Sequence, residues 1–158
     1  MATLILRPVS DESLKHSCSS GSNGYSMISE ASADDDSTYI YQKISSTKSS
    51  TAQSSFTLGG TMPSGSFKIT GAKLYVRGKS SANYNYSGTY QLSIDSSASS
   101  MSLRTSYQTS SSTGVATSLI NNTYTSSNFP SLSVIITTAG KKSSSKDSNF
   151  QIRVTQIY

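Results

Sequence analysis

The chain is poor in the residues on which catalysis and covalent cross-linking depend. It has no Trp, a single Cys and a single His, and only 13% of its residues are charged. Cys18 alone cannot form an intrachain disulfide framework, and its polar neighbours are typical of a loop thiol made in a reducing cytoplasm. His16 lies two residues away and could share a strand face with Cys18, but we favour a thiol without a catalytic role.

Long apolar runs are also absent. No segment reaches the roughly 18 apolar residues that a transmembrane helix requires. The short apolar run over residues 2–6 lacks the preceding charge and the length of a signal peptide. We therefore expect a protein that is made in the cytoplasm and has no membrane partner.

Acidic residues are scarce, with eight Asp and Glu against thirteen Lys and Arg, which gives a formal net charge of +5. The cations are spread almost evenly along the chain, and only Lys141, Lys142 and Lys146 lie close together in sequence. This spread disfavours a dedicated nucleic-acid site, which usually needs a basic cluster. Docking of a mildly basic protein onto an acidic protein lattice accounts for the balance equally well.

The sequence motifs give no support for an enzyme. A glycosidase needs two carboxylates that face each other across a cleft, and nothing singles out a pair among the eight acids. A Ser-His-Asp triad would depend on His16, and the chain has no Gly-x-Ser-x-Gly elbow. The segment 78–80 resembles the end of a phosphate-binding loop, but Lys73 stands where the first Gly is required. We predict no enzymatic activity and no cofactor.

Hydroxyl side chains dominate the composition, since Ser and Thr make up 57 of the 158 residues. Apolar residues recur at every second position, as in Tyr90-Leu92-Ile94 and in the run that begins at Phe150, which is the pattern of half-buried β-strands. We predict an all-β fold: a single antiparallel β-sandwich over residues 1–158, jelly-roll-like, with eight to nine strands.

The alternation also predicts individual strands. The clearest ones are Thr3–Arg7, Tyr39–Ile44, 72–77, Gly88–Asp95, Leu132–Thr138 and Phe150–Tyr158. Pro8 is expected to end the first strand, because proline cannot donate to a strand ladder. Ser45–Ser55 is predicted to be a loop, and Val115–Ile120 is a weaker strand candidate.

Three segments together carry a family resemblance. The opening Leu4–Asp11, the stretch Asp34–Ile40 and the closing Phe150–Tyr158 resemble, in order and spacing, a β-sandwich domain of bacteriophage minor structural proteins, which are virion- or tail-associated. In that family the opening strand is followed by an aromatic residue, and Lys15–Ser17 occupies that region here. The resemblance implies a jelly-roll-like virion component, and it supplies no catalytic residues.

Asp34, Asp35 and Asp36 form the sharpest local motif. Neighbouring carboxylates could bind Ca²⁺, which prefers several oxygen ligands. No bidentate acid follows at the spacing of an EF-hand, so a structural turn is the favoured interpretation, with Asp36 anchoring the start of the next strand. The three aspartates remain weak candidates for a metal site.

Tyrosines and asparagines concentrate in one predicted hairpin, at Asn83, Tyr84, Asn85, Tyr86 and Tyr90. Tyr and Asn on a loop can contact sugars, because they combine a flat apolar ring with hydrogen-bonding groups. The same residues could pack across the hairpin as aromatic pairs or contact another protein. Packing or protein contact is the favoured interpretation, and glycan contact is the alternative.

These observations lead to one functional hypothesis and one alternative. The favoured role is a non-enzymatic virion structural or accessory protein, made in the host cytoplasm, which decorates the capsid or tail through contacts with other virion proteins and with further copies of itself. The alternative is a carbohydrate-binding module that attaches the virion to a host surface glycan. A membrane or nucleic-acid partner is not expected.

Overall fold

The computed structural model describes residues 2–83 and 85–158, and within them the chain is almost entirely β-structure. Its only helical elements there are two three-residue 3-10 helices, Tyr25–Met27 and Thr117–Leu119. The strands are β1 (Arg7–Ser13), β2 (Ser17–Cys18), β3 (Ile40–Ile44), β4 (Ser50–Gly59), β5 (Phe67–Lys68), β6 (Lys73–Ser80), β7 (Asn85–Leu92), β8 (Ser99–Ser100), β9 (Gln108–Thr113), β10 (Thr123–Tyr124), β11 (Leu132–Lys141) and β12 (Phe150–Ile157). The predicted all-β class is confirmed.

The long strands form two five-stranded antiparallel sheets. The first sheet has the order β1-β4-β11-β7-β8, and the second sheet has the order β2-β3-β12-β6-β9, while β5 and β10 pair separately. Eight strands pair in a nested manner: β7 with β8, β6 with β9, β4 with β11, and β3 with β12. The chain therefore forms one long hairpin, and its successive strand pairs lie alternately in the first and the second sheet.

The core lies between the two sheets because each long strand alternates one buried with one exposed face. Its fully buried members come from both sheets and include Phe56, Val134 and Ile136 from the first and Ile40, Val76, Ile152 and Val154 from the second. The two-residue rhythm seen in the sequence is thus the inward face of a β-sandwich.

The first strand was predicted in the wrong place. Residues 3–6 precede the sheet, and β1 begins at Arg7 and continues through Pro8, which is aligned with Leu58 of β4. Proline is tolerated there because β1 is an edge strand, so its missing N–H has no neighbour on the open side. The register shifts after Pro8 and again after Asp11.

The predicted loop Ser45–Ser55 was also wrong in its second half. Residues 50–55 belong to β4, a central strand that pairs with both β1 and β11. Its inward positions are Ala52, Ser54 and Phe56, so small and hydroxyl residues replace the apolar alternation that marks a strand. Ser54 is fully buried yet satisfied, because it exchanges hydrogen bonds with His16.

Two further differences concern the stretch after residue 100. The strand β9 was not predicted, since its sequence is almost purely hydroxyl. Val115–Ile120 is not a strand but holds a 3-10 helix, which follows Ala116 in the left-handed region (φ 53°). Met101 and Leu103 lie outside any strand, but both are buried in the core.

Candidate functional site

The outer face of the second sheet collects the cations that are dispersed in the sequence. Alternation along β3, β6 and β12 turns five of the thirteen Lys and Arg residues toward this side: Lys43, Lys73, Arg77, Lys79 and Arg153. The register aligns Arg153 with Tyr41 on one side and with Lys79 on the other. We call this surface the basic face.

Tyrosine rings lie between these cations. Arg153 places its guanidinium carbon 4.5 Å from the centroid of the Tyr39 ring, and Lys79 places its ammonium nitrogen 4.4 Å from that of Tyr107. Tyr75 and Tyr158 stack at 4.8 Å with their rings 11° apart. The two cation–π contacts, of Arg153 with Tyr39 and of Lys79 with Tyr107, help to hold these flexible cationic side chains in position. Together with Tyr41, these residues make five of the ten tyrosines part of the basic face: Tyr39, Tyr41, Tyr75, Tyr107 and Tyr158.

Part of the positive charge is balanced by the aspartate loop. Asp35 accepts two hydrogen bonds from Arg77, at 2.6 and 2.8 Å. Asp36 lies 2.7 Å from the Lys79 ammonium and 2.6 Å from the Arg153 guanidinium. Hydrogen bonding to Arg77 lowers the pKa of Asp35, and hydrogen bonding to Lys79 lowers that of Asp36. Both carboxylates therefore stay ionised on the face.

The backbone of the same loop is fixed to the sheet. The carbonyl of Asp35 accepts hydrogen bonds from the hydroxyls of Tyr107 (3.0 Å) and Thr155 (3.2 Å). Asp35 itself adopts a left-handed conformation (φ 52°), which aspartate tolerates better than most residues. Burial and the nearby charge of Asp36 raise the pKa of Tyr107, so its hydroxyl remains a donor. The aspartate loop is therefore held in place by hydrogen bonds as part of the basic face.

The aspartate motif therefore has two structural roles. Asp34 accepts hydrogen bonds from the backbone N–H and the hydroxyl of Thr38, each at 3.0 Å, and forms the turn that the sequence predicts. The anchor before β3 is thus Asp34 and not Asp36, because Asp35 pairs with Arg77 of β6 and Asp36 pairs with Arg153 of β12. Within residues 2–83 and 85–158, no three His, Cys, Asp or Glu side chains are placed to share a metal ion.

The two hairpin tyrosines that the structure describes, Tyr86 and Tyr90, do not form a shared surface. Tyr90 is 2% exposed and belongs to the core, where burial raises its pKa. Tyr86 is half-buried and donates a hydrogen bond of 2.9 Å to the carbonyl of Leu103. Asn83 and Asn85 are exposed, while Tyr84 lies outside the described residues. The geometry of Tyr86 and Tyr90 is that of the packing interpretation.

The outer face of the first sheet differs in chemistry from the basic face. Its outward positions along β4, β7 and β11 are uncharged over most of their length: Thr51, Gln53, Ser55, Thr57, Ser87, Thr89, Gln91, Ser133, Ile135, Thr137 and Ala139. Glu12 of β1 approaches this face and accepts hydrogen bonds from Thr57 and Ser133. The two sides of the sandwich are thus a neutral hydroxyl face and a cationic tyrosine face.

Cys18 and His16 do not form a reactive pair. Both ring nitrogens of His16 are engaged, at 2.7 Å with Ser54 and 2.8 Å with Thr138. Burial and the charge of Asp11 raise the pKa of the Cys18 thiol, which opposes formation of a nucleophilic thiolate.

A concave surface lies at one end of the sandwich. It has a volume of about 300 Å³ and lies between the 94–99 turn and residues 112–118. Asp95 accepts a hydrogen bond from the backbone N–H of Ala116 through Oδ1. Its Oδ2 atom is buried and has no hydrogen-bond partner among the described residues. The remaining lining is mostly Ser and Thr, so this hollow could accept a hydroxylated ligand.

No protein-family model matches the chain, and no curated protein sequence matches it. Among the described residues, no helix has the length and apolar character needed to cross a membrane.

The basic face was not recognisable as a unit from the sequence. The signal was present within β6, where Lys73, Tyr75, Arg77 and Lys79 occupy alternate positions and must share one side. The partners on β3 and β12 and the aspartate loop could be added only once the strand order was known.

Proposed function

We propose that this β-sandwich is a non-enzymatic accessory structural protein of a bacteriophage particle, and that it decorates the capsid or tail through protein–protein contacts. The observation that carries the proposal is the contrast between the two outer faces. Tyr and Arg are enriched in protein interfaces, and here they are gathered on one sheet face while the opposite face is neutral. A two-sided molecule of this kind suits attachment by one face and display of the other.

The strand order supports the jelly-roll part of the proposal. In a jelly roll, two Greek keys of four strands each wrap around one core. The nested pairing of β7 with β8, β6 with β9, β4 with β11 and β3 with β12 likewise places paired strands in two sheets around one core. The resemblance of the opening, aspartate and closing segments to phage minor structural proteins points to the same class.

Repeated copies would strengthen attachment. A single sheet face of modest charge binds weakly, but copies linked around a symmetric lattice bind with much higher effective affinity. We therefore propose a homo-oligomer on the virion. Light scattering during size exclusion tests this, because a monomer has a mass of 16.8 kDa. Neighbouring copies held close together on a lattice meet at an effective concentration of about 1 mM. A monomer mass at all protein concentrations up to that value would count against the oligomer.

Co-sedimentation with purified particles tests the main proposal. Particles released from the host that produces this chain are banded by density, and mass spectrometry then measures the chain in the particle band and in the soluble fraction. We expect a fixed number of copies for each particle. Recovery of the chain only in the soluble fraction would refute a virion role.

A carbohydrate-binding module is the second candidate, and the Asp95 hollow is the observation that favours it. The Ser and Thr side chains that line the hollow beside Asp95 offer hydrogen bonds to sugar hydroxyls. Glycan-array binding by the wild-type chain, with loss of binding in Asp95→Asn, would support this function. An array without any signal would remove it.

A further inference from the structure

The cations of the basic face fall into two groups. Arg77, Lys79 and Arg153 are paired with the aspartate loop, and their side chains are only 26%, 13% and 21% exposed. Lys43 and Lys73 are exposed and have no ion-pair partner among the described residues. The two loop aspartates offset two of the three charges in the first group, so two of the three uncompensated charges on the face belong to Lys43 and Lys73.

The two free lysines lie at opposite ends of the face. Lys43 is aligned with Gln151 at one end of β12, and Lys73 is aligned with Thr113 at the far end of β6. The strand rise of about 3.3 Å per residue places them roughly 25 Å apart along the sheet. Tyr41 and the stacked Tyr75–Tyr158 pair lie between them. With the width of a five-stranded sheet, in which strands lie about 4.8 Å apart, a patch of this length covers about 600 Å², which is of the order of the roughly 800 Å² that each partner contributes to a standard protein interface.

We propose that the basic face is the docking surface of this protein and that its occupant is an acidic protein surface, with Lys43 and Lys73 as the two outer electrostatic contacts. The inference rests on the proposed structural role and adds the face and the chemistry of the partner. The chain's own aspartates show how this face binds carboxylates. Asp35 forms a bidentate pair with Arg77, and Asp36 bridges Lys79 and Arg153.

A nucleic acid fits the same face less well. Phosphate backbones are bound by many unpaired Lys and Arg side chains, and three of the five cations here are committed to the loop aspartates. Half-buried tyrosines between two separated lysines are better suited to a protein surface, where aromatic residues fill the centre and charges lie at the rim.

A matched pair of double variants tests the assignment. Lys43→Glu with Lys73→Glu changes the basic face, while Lys68→Glu with Lys141→Glu changes exposed lysines of β5 and of the first sheet. Both double variants lower the formal net charge from +5 to +1, so a non-specific charge effect would be equal in the two. Circular dichroism first establishes that each variant is folded.

Affinity for purified particles, depleted of the chain, is then measured by co-sedimentation at low and high salt. We expect the basic-face variant to bind about tenfold more weakly than wild type, which corresponds to about 1.4 kcal/mol, and the control variant to bind within about twofold. Equal loss in both variants would overturn the face assignment while leaving the structural role intact. Failure of the wild-type chain to bind any particle would instead contradict the proposed function.

The partner chemistry is tested with two defined probes, poly-L-glutamate and a short DNA duplex. Amide chemical shifts are followed by NMR as each probe is added. We expect poly-L-glutamate to shift the signals of Lys43, Tyr41, Tyr75 and Lys73 selectively. Tighter binding of the duplex at the same residues would overturn the acidic-protein assignment, and so would poly-L-glutamate shifts confined to other parts of the surface.

Discussion

The buried histidine leads to a quantitative prediction about acid stability. His16 is 4% exposed, and Thr138 donates its own hydroxyl hydrogen to Gln42 at 2.8 Å. The Thr138 oxygen must therefore accept from Nε2–H of His16. The Ser54 oxygen accepts the backbone N–H groups of Lys15 and His16, so its hydroxyl donates to Nδ1. This network assigns a neutral imidazole protonated at Nε2.

Protonation of this ring is unfavourable in the folded protein. Burial lowers the pKa of His16 from 6.5 to about 4, whereas the unfolded chain keeps the higher value. Between these two pKa values the unfolded chain binds one more proton, so the free energy of unfolding decreases as the pH falls. At about 1.4 kcal/mol per pKa unit, the loss reaches about 2 kcal/mol at pH 5 and about 3 kcal/mol near pH 4.

Urea unfolding monitored by circular dichroism measures this loss. We expect the free energy of unfolding to fall by about 2 kcal/mol between pH 7.5 and pH 5, a range in which most carboxylates remain ionised. His16→Gln removes the titrating group, so its stability should be nearly independent of pH over that range, whatever its absolute value. The same slope in both proteins would refute the reasoning.

NMR provides an independent check, because the chain has one histidine and hence one set of imidazole signals. In the folded protein these signals should not titrate above pH 5. A midpoint near 6.5 would contradict the buried neutral network.

Three substitutions test other parts of the structure by urea unfolding at pH 7.5. Gly78→Ala would place its Cβ 2.6 Å from the carbonyl oxygen of Arg153, and we expect a loss of about 1–3 kcal/mol; unchanged stability would contradict the close packing of β6 on β12. Asp11→Ala removes the acceptor of two backbone N–H groups at positions 24 and 25, with an expected loss of about 1–3 kcal/mol; a neutral result would mean that water replaces the carboxylate. Asp35→Asn breaks the partly exposed pair with Arg77 and should cost less than about 1 kcal/mol; a larger loss would show that the loop stabilises the whole sheet.

The fold class followed from the sequence because strand alternation depends only on local chain geometry. Leu74 and Val76 of β6 and Ile152 and Val154 of β12 are all buried, as their spacing predicts. Ser54 of β4 and Ser110 of β9 break the pattern, because a buried hydroxyl is acceptable when tertiary contacts satisfy it. The contacts of Ser54 come from His16, 38 residues away in the chain, so the first half of β4 was missed, as was the hydroxyl-rich β9.

The candidate site was predictable only in part. The alternation of Lys73, Tyr75 and Arg77 places these side chains on one face of a strand without further information. The aspartate motif was recognised as a turn, but its partners were not, because Asp35 lies 42 residues from Arg77 and Asp36 lies 117 residues from Arg153. Local sequence does not encode contacts across such separations.

The sequence by itself determined that charge would be scarce and positive, that hydroxyls would cover the surface, and that alternate residues of each strand would share a face. Tertiary structure decided which faces those are. The order β3-β12-β6 brings Tyr41, Arg153 and Lys79 into one row, and it thereby turns evenly dispersed cations into a single basic face. Which residues of a strand share a face depends on that strand alone, whereas the neighbours of a strand depend on how the whole chain packs its core.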